Sequence, residues 1–130
     1  MLFTHIAERK PVQPTFSNQF VSQLSADPVT ENNIRQVHHA LWSMVQPTPV
    51  LKPKLVLWSE ETARLLSVSA NLIKDADFIN VLGGNAVGSN STPYATVYGG
   101  HQFGHWAGQL GDGRAINLGE IAGYTMQLKG

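Results

Sequence analysis

Tyr98–Gly119 reads Y-G-G-H-Q-F-G-H-W-A-G-Q-L-G-D-G-R-A-I-N-L-G and holds seven of the chain's twelve glycines. Glycine at this density is tolerated where the backbone turns with positive φ or lies close against another group. The same stretch carries two histidines, a tryptophan, an aspartate and an arginine. Lys129 follows Arg114 by fifteen residues, at the end of an apolar run. Asp-Gly between two apolar-containing segments is a strong hairpin signal. Trp106–Leu110 and Arg114–Leu118 are therefore predicted to be strands joined through Gly111-Asp112-Gly113.

Working outward, Tyr94–Tyr98 has strand composition, broken by Gly99-Gly100, and His101–Trp106 is expected as a helical turn. Thr125–Lys129 is the next strand, reached through a turn at Ala122-Gly123. The last third thus reads as an antiparallel meander. Composition shifts sharply before it. The first 82 residues contain no glycine, and six of the seven prolines lie before residue 54. Helices and extended segments separated by prolines are expected there.

Phe16, Phe20, Val21 and Leu24 have helical spacing in a short arm over residues 1–32. Asn32 or Asn33 is placed to cap a helix with Ile34, Val37, Leu41, Met44 and Val45 on one face, ended by Gln46-Pro47-Thr48-Pro49. Lys54–Trp58 reads as a short strand. Ser59 caps a helix with Glu60 and Glu61 in its first turn, where acidic groups suit the positive end of the dipole. Ser69 starts a further helical piece. Asp77 is expected to cap another, closed by Gly83-Gly84, and Asn85–Pro93 is a loop. The fold class is α+β.

Composition bounds the function. The chain has 130 residues, enough for one domain with a real core. Its nine basic and nine acidic residues balance. No basic cluster suggests nucleic acid as a partner. No apolar segment approaches the length of a membrane span, and the N-terminal apolar run is too short for a signal peptide. With no cysteine, disulfides, thiolate metal sites and a Cys nucleophile are excluded, which suits a cytoplasmic protein.

Gly108–Arg114 forms G-x-x-G-x-G-R. It is not the dinucleotide fingerprint, because Ile116 stands where the third glycine belongs, and it lacks the Gly-Lys-Ser/Thr of a Walker A loop. A glycine-rich hairpin followed by a strand lysine is the kinase-type arrangement for phosphates. Backbone N–H groups bare of Cβ approach phosphate oxygens, and Arg114 adds a planar donor fork. The plainer alternative is a tight hairpin with a surface arginine and lysine. His101-x-x-x-His105 has the spacing of a zinc pair on a helix, but Gln102 replaces the glutamate of H-E-x-x-H and no third ligand is evident. His38 and His39, adjacent on a helix, would point about 100° apart and share a metal poorly.

Y-G-G-H-Q-F-G-H-W-A-G-Q-L-G-D-G-R-A-I-N-L-G-E closely resembles the signature of the selenoprotein O family, the kinase-like protein adenylyltransferases. Arg35–Val50 and Leu55–Val68 also resemble that family's N-terminal segments, so the likeness runs from about Phe16 to the end. The resemblance implies that residues 1–130 are the N-terminal part of a single kinase-like domain, with N-terminal helices and an antiparallel meander forming the start of its N-lobe. Within it lie an arm (1–32), a helical region (33–82) and a glycine-rich loop with meander (83–130). It implies that ATP binds in a flipped orientation and that AMP passes to Ser, Thr or Tyr hydroxyls of proteins. Gly111, Gly113 and Arg114 would contact the nucleotide, and Lys129 its phosphates. The loop between Glu120 and Thr125 is shorter than in some relatives. The family's catalytic aspartate and its Mg²⁺ ligands lie downstream of Gly130. No catalytic or metal residue is therefore expected in this chain, which reads as an N-terminal fragment, inactive alone. The alternative is a truncated, non-catalytic module that binds nucleotide or a partner.

Overall fold

Ser59, Ser69 and Asp75 each end an extended segment and start a helix. A computed structural model describes residues 13–31, 33, 35–110 and 115–129. Helix α1 spans Gln19–Gln23, α2 Glu60–Leu65, α3 Ala70–Ile73 and α4 Ala76–Leu82. The Ser59 hydroxyl accepts from the Thr62 N–H at 3.1 Å and the Ser69 hydroxyl from Leu72 at 3.2 Å, as expected of serine caps. The third cap is Asp75, not Asp77. Its carboxylate accepts from both Asp77 and Phe78 N–H groups at 3.1 Å, which places Asp77 inside the first turn. Gly83 closes α4, and Gly84 follows with φ +77°.

The strands are β1 (Trp42–Met44), β2 (Tyr94–Thr96), β3 (Tyr98–Gln102), β4 (His105–Leu110), β5 (Ala115–Ile121) and β6 (Tyr124–Lys129). They form a four-stranded sheet in the order β1-β2-β5-β6 and a separate two-stranded ribbon, β3-β4. All strand pairs are antiparallel. The architecture is therefore α+β, but not a simple meander. The ribbon is inserted between β2 and β5, which are themselves neighbours. β4 and β5 occur close to where the sequence placed them, yet they pair with β3 and with β2 and β6 respectively.

Three further expectations fail. The proposed helix through Val37 and Leu41 is instead extended chain leading into β1; its Asn32 and Ile34 lie outside the described residues. Trp42, Ser43 and Met44 pair with Thr96, Ala95 and Tyr94, and a partner strand outweighs helical spacing here. Lys54–Trp58 forms no strand, and Val56 and Leu57 are exposed. The β1 edge it could have joined is occupied by Ser25–Asp27: Leu41 donates to the Ser25 carbonyl at 2.9 Å and Asp27 to the Trp42 carbonyl at 2.8 Å. Finally, Gly99-Gly100 does not end a strand but continues within β3, and the helical turn at His101–Trp106 is a tight hairpin.

The core lies between the sheet and α4. Phe16, Val81, Leu118 and Ile121 form one buried cluster, with Met126 and Leu128 packed on it. Val68, Leu72 and Phe78 form a second, and Leu66 touches both. On the other face Phe20 stacks on Tyr94 with centroids 5.0 Å apart, and Trp42 meets Tyr94 edge-on. Glu120 fastens the N-terminal arm. Its backbone exchanges two 2.9 Å bonds with Ser17. Its carboxylate accepts from the Ser17 hydroxyl and from the N–H groups of Gln19 and Phe20, at 2.9, 3.1 and 3.5 Å. A side chain about a hundred residues away thus caps α1, whose own Asn18 makes no side-chain cap.

Candidate functional site

β6 reads Y-T-M-Q-L-K, and its pleat sorts the side chains. Met126 and Leu128 are half-buried against the Phe16 cluster, whereas Thr125, Gln127 and Lys129 are exposed. Register sets Lys129 opposite Ala115, Leu128 opposite Ile116 and Gln127 opposite Asn117. Directly opposed residues share a face, so Ala115, Asn117, Gln127 and Lys129 line one side of the β5–β6 pair. Asn117 is buried there, and the Gln127 amide donates to its Oδ1 at 3.0 Å. The ammonium of Lys129 stands at the open end of this row.

Leu128 and Ile116 face the opposite way. With Pro47, Thr48, Val50 and the α4 terminus Leu82–Gly84 they line a cleft of about 390 Å³, completed at the strand end by Gln127 and Lys129. Gly84 has φ +77°, and a Cβ built on it would stand 3.0 Å from the Pro47 Cβ, so glycine suits the close approach of the helix end to Pro47. The cleft is mostly apolar, with Gln127 and Lys129 as its polar rim.

Of the sequence-predicted site residues, Lys129 ends β6 and is exposed. Gly111, Gly113 and Arg114, with the Asp112 bend, lie outside the described residues. Ala115, the residue that follows Arg114, is the partner of Lys129. The histidine pair does not survive as a metal site. Gln102 pairs with His105 and His101 with Trp106, so the two imidazoles occupy opposite faces of the ribbon. His101 packs edge-on against Trp106 at 5.1 Å. Among the described residues no three His, Asp or Glu side chains are grouped to hold a metal.

Sequence reasoning missed the ribbon itself. Phe103 and Gly104 form a two-residue turn with φ +50° and +81°, the positive pair of a type I′ hairpin. The signal was present as Phe-Gly, obscured because asparagine or aspartate usually holds the first position. The ribbon is tied to the body by the Gln109 side chain, whose Oε1 accepts from the Val37 N–H at 2.8 Å. A second missed feature is the knot at Asp27. The Arg35 guanidinium donates to its carboxylate and to the carbonyls of Val29, Glu31 and Asn33. Burial pushes the Asp27 carboxyl up, but hydrogen bonds from the Val29 N–H, Arg35 and Ser43, with the charge of Arg35, outweigh it and hold it below its ordinary value.

Residues 26–130 match the family model described as protein adenylyltransferase SelO. Among curated proteins, the chain is 49% identical over 121 residues to the protein nucleotidyltransferase YdiU of Methylobacillus flagellatus, covering 89% of this chain and 23% of that protein. The YdiU proteins of Tolumonas auensis and Rhodopirellula baltica are 49% and 50% identical, over 88% and 89% of this chain and 23% and 22% of theirs. The chain thus spans less than a quarter of the length of these relatives. A likeness of this strength across both the arm-proximal segments and the glycine-rich region leaves one assignment: the chain belongs to the SelO family of protein nucleotidyltransferases.

Proposed function

We propose that this chain forms the nucleotide-facing start of a protein adenylyltransferase with a kinase-like N-lobe, acting in the cytoplasm. ATP is held by Gly111, Gly113, Arg114 and Lys129. In the whole protein an acceptor Ser, Thr or Tyr oxygen attacks the α-phosphorus. The bond to the bridging oxygen of the β-phosphate breaks, and pyrophosphate leaves. Lys129 and Arg114 neutralise charge that grows on the departing phosphates, the term that usually dominates phosphoryl-group chemistry. The observation that supports this reading is the β5–β6 register, which sets Lys129 opposite the residue following Arg114.

Mg²⁺ accompanies ATP in this reading. The described residues offer no grouped ligands for it. Its ligands and the base that takes the hydroxyl proton are assigned to the part of the longer relatives that this chain does not cover. The 130-residue chain is therefore expected to bind ATP without transferring AMP. Titration by calorimetry tests the first half. Lys129→Ala and Arg114→Ala should each weaken binding about tenfold or more, the scale of one lost charge-assisted hydrogen bond. Labelled-AMP incorporation into protein tests the second half. Appreciable transfer by this chain alone, or unchanged affinity in both variants, would refute the assignment.

A further inference from the structure

The β3–β4 ribbon holds its aromatic side chains outward. Phe103 is 99% exposed and Trp106 64%. An indole this exposed ordinarily samples several rotamers, but Trp106 is held on two sides. His101 abuts it edge-on, at 5.1 Å between centroids and 68° between planes. Beneath it lies Gly99: a Cβ built there would meet Cη2 and Cζ2 of the indole at 3.0 and 3.1 Å. The ring therefore lies back along the ribbon over a glycine floor while keeping edge-on contact with its register partner His101. The strand register shifts between Gly99 and His101, beside the ring.

The result is a flat aromatic face fixed before any ligand arrives, which lowers the ordering cost of stacking. Its position along the chain matters as well. Gly99 pairs with Gln109, next to the end of β4 at Leu110, and β5 resumes at Ala115 opposite Lys129. The indole thus belongs to β4, which enters the short connection of residues 111–114, and the ammonium to β6, the partner of the β5 strand that leaves it.

Resting on the nucleotide-binding reading above, we infer that the exposed face of Trp106 stacks on the adenine ring of ATP, with His101 and Gly99 positioning the indole. Stacking uses the π-face common to all bases, so this contact adds affinity for a nucleotide over bare phosphate without selecting strongly among bases.

The test is calorimetric titration of the full 130-residue chain with ATP and, separately, inorganic tripolyphosphate. Trp106→Ala should weaken ATP binding about tenfold, the usual scale for losing one base–aromatic stack, and leave tripolyphosphate binding unchanged. Trp106→Phe should retain most of the ATP affinity. Gly99→Ala, which puts a methyl group under the ring, should lose part of it. If unaltered protein binds tripolyphosphate as tightly as ATP, or if Trp106→Ala binds ATP like wild type, the stacking assignment is overturned and the ring is left as a contact for a protein surface. If neither probe binds the unaltered chain, the phosphate-site reading falls and this inference with it.

Discussion

The four-stranded sheet and the β3–β4 ribbon use the same antiparallel pairing to opposite ends. In the sheet, Tyr94, Leu118 and Ile121 are buried, Glu120 is tied down by the arm, and Ser25–Asp27 seals the β1 edge. In the ribbon, Tyr98, Phe103 and Trp106 face outward, and the tip is a tight turn through Phe103 in a left-handed conformation. A bulky residue at positive φ is costly. The sheet supplies stability, whereas the ribbon presents aromatic surface that the core does not need.

The sharpest way to break this comparison is a pair of phenylalanines. Phe16→Ala empties a fully buried position and should lower unfolding free energy by about 3–5 kcal/mol. Phe103→Ala should change it by no more than about 0.5 kcal/mol, since a free surface ring contributes little packing. Urea denaturation of both variants decides the point. Equal losses would mean that the ribbon packs on the body more than its exposure indicates.

Two glycines sharpen it further. Gly119 has φ +110°, and a Cβ there would stand 2.6 Å from the Ser17 carbonyl oxygen, a backbone atom held by the arm. Gly119→Ala should cost about 3 kcal/mol. Gly104 has φ +81° with nothing near its Cβ position, so Gly104→Ala should cost only the conformational penalty, about 1 kcal/mol. Thermal melts of the two variants measure the difference directly.

The smallest expected effect is a pH dependence confined to the sheet side. Asp27 has a folded-state carboxyl held below its ordinary value of 3.8. The fold therefore favours its ionised form, and that stabilisation is present above pH 3.8 and lost as the pH falls through the lower folded value. The gap in Tm between wild type and Asp27→Asn should narrow as the pH drops below 3.8 and close once the folded carboxyl is protonated. A gap that persists in acid would show that Asp27 acts as a neutral hydrogen-bonding group.

Legibility followed the range of the interaction. Ser59, Ser69 and the Gly83-Gly84 stop could be read because each acts within three or four residues. The Ala122-Gly123 turn was read for the same reason, and the structure gives it φ +52° and +82°. The helix assigned through Ile34, Val37, Leu41, Met44 and Val45 failed because Leu41 and Met44 fit helical spacing while Trp42 and Met44 fit strand alternation. Only their pairing with Thr96 and Tyr94 separates the two. Of the candidate site, Lys129 was legible as a strand-end lysine, while its register against Ala115 was not. Trp106 stood in the quoted motif, but nothing local revealed that Gly99 would lie under its ring.

By itself the sequence determined the serine caps at Ser59 and Ser69, the Gly83-Gly84 stop, the Ala122-Gly123 turn, the α+β class and the family, all of which rest on residues near one another or on a long shared motif. The tertiary structure decided which strands are neighbours, that a ribbon interrupts the sheet, and that Glu120 caps a helix in the arm. Those choices turn on contacts such as Ser17 with Glu120, across 103 positions of chain. Composition and spacing report what a segment can become. Only the free energy of the whole packed molecule selects the partner it takes.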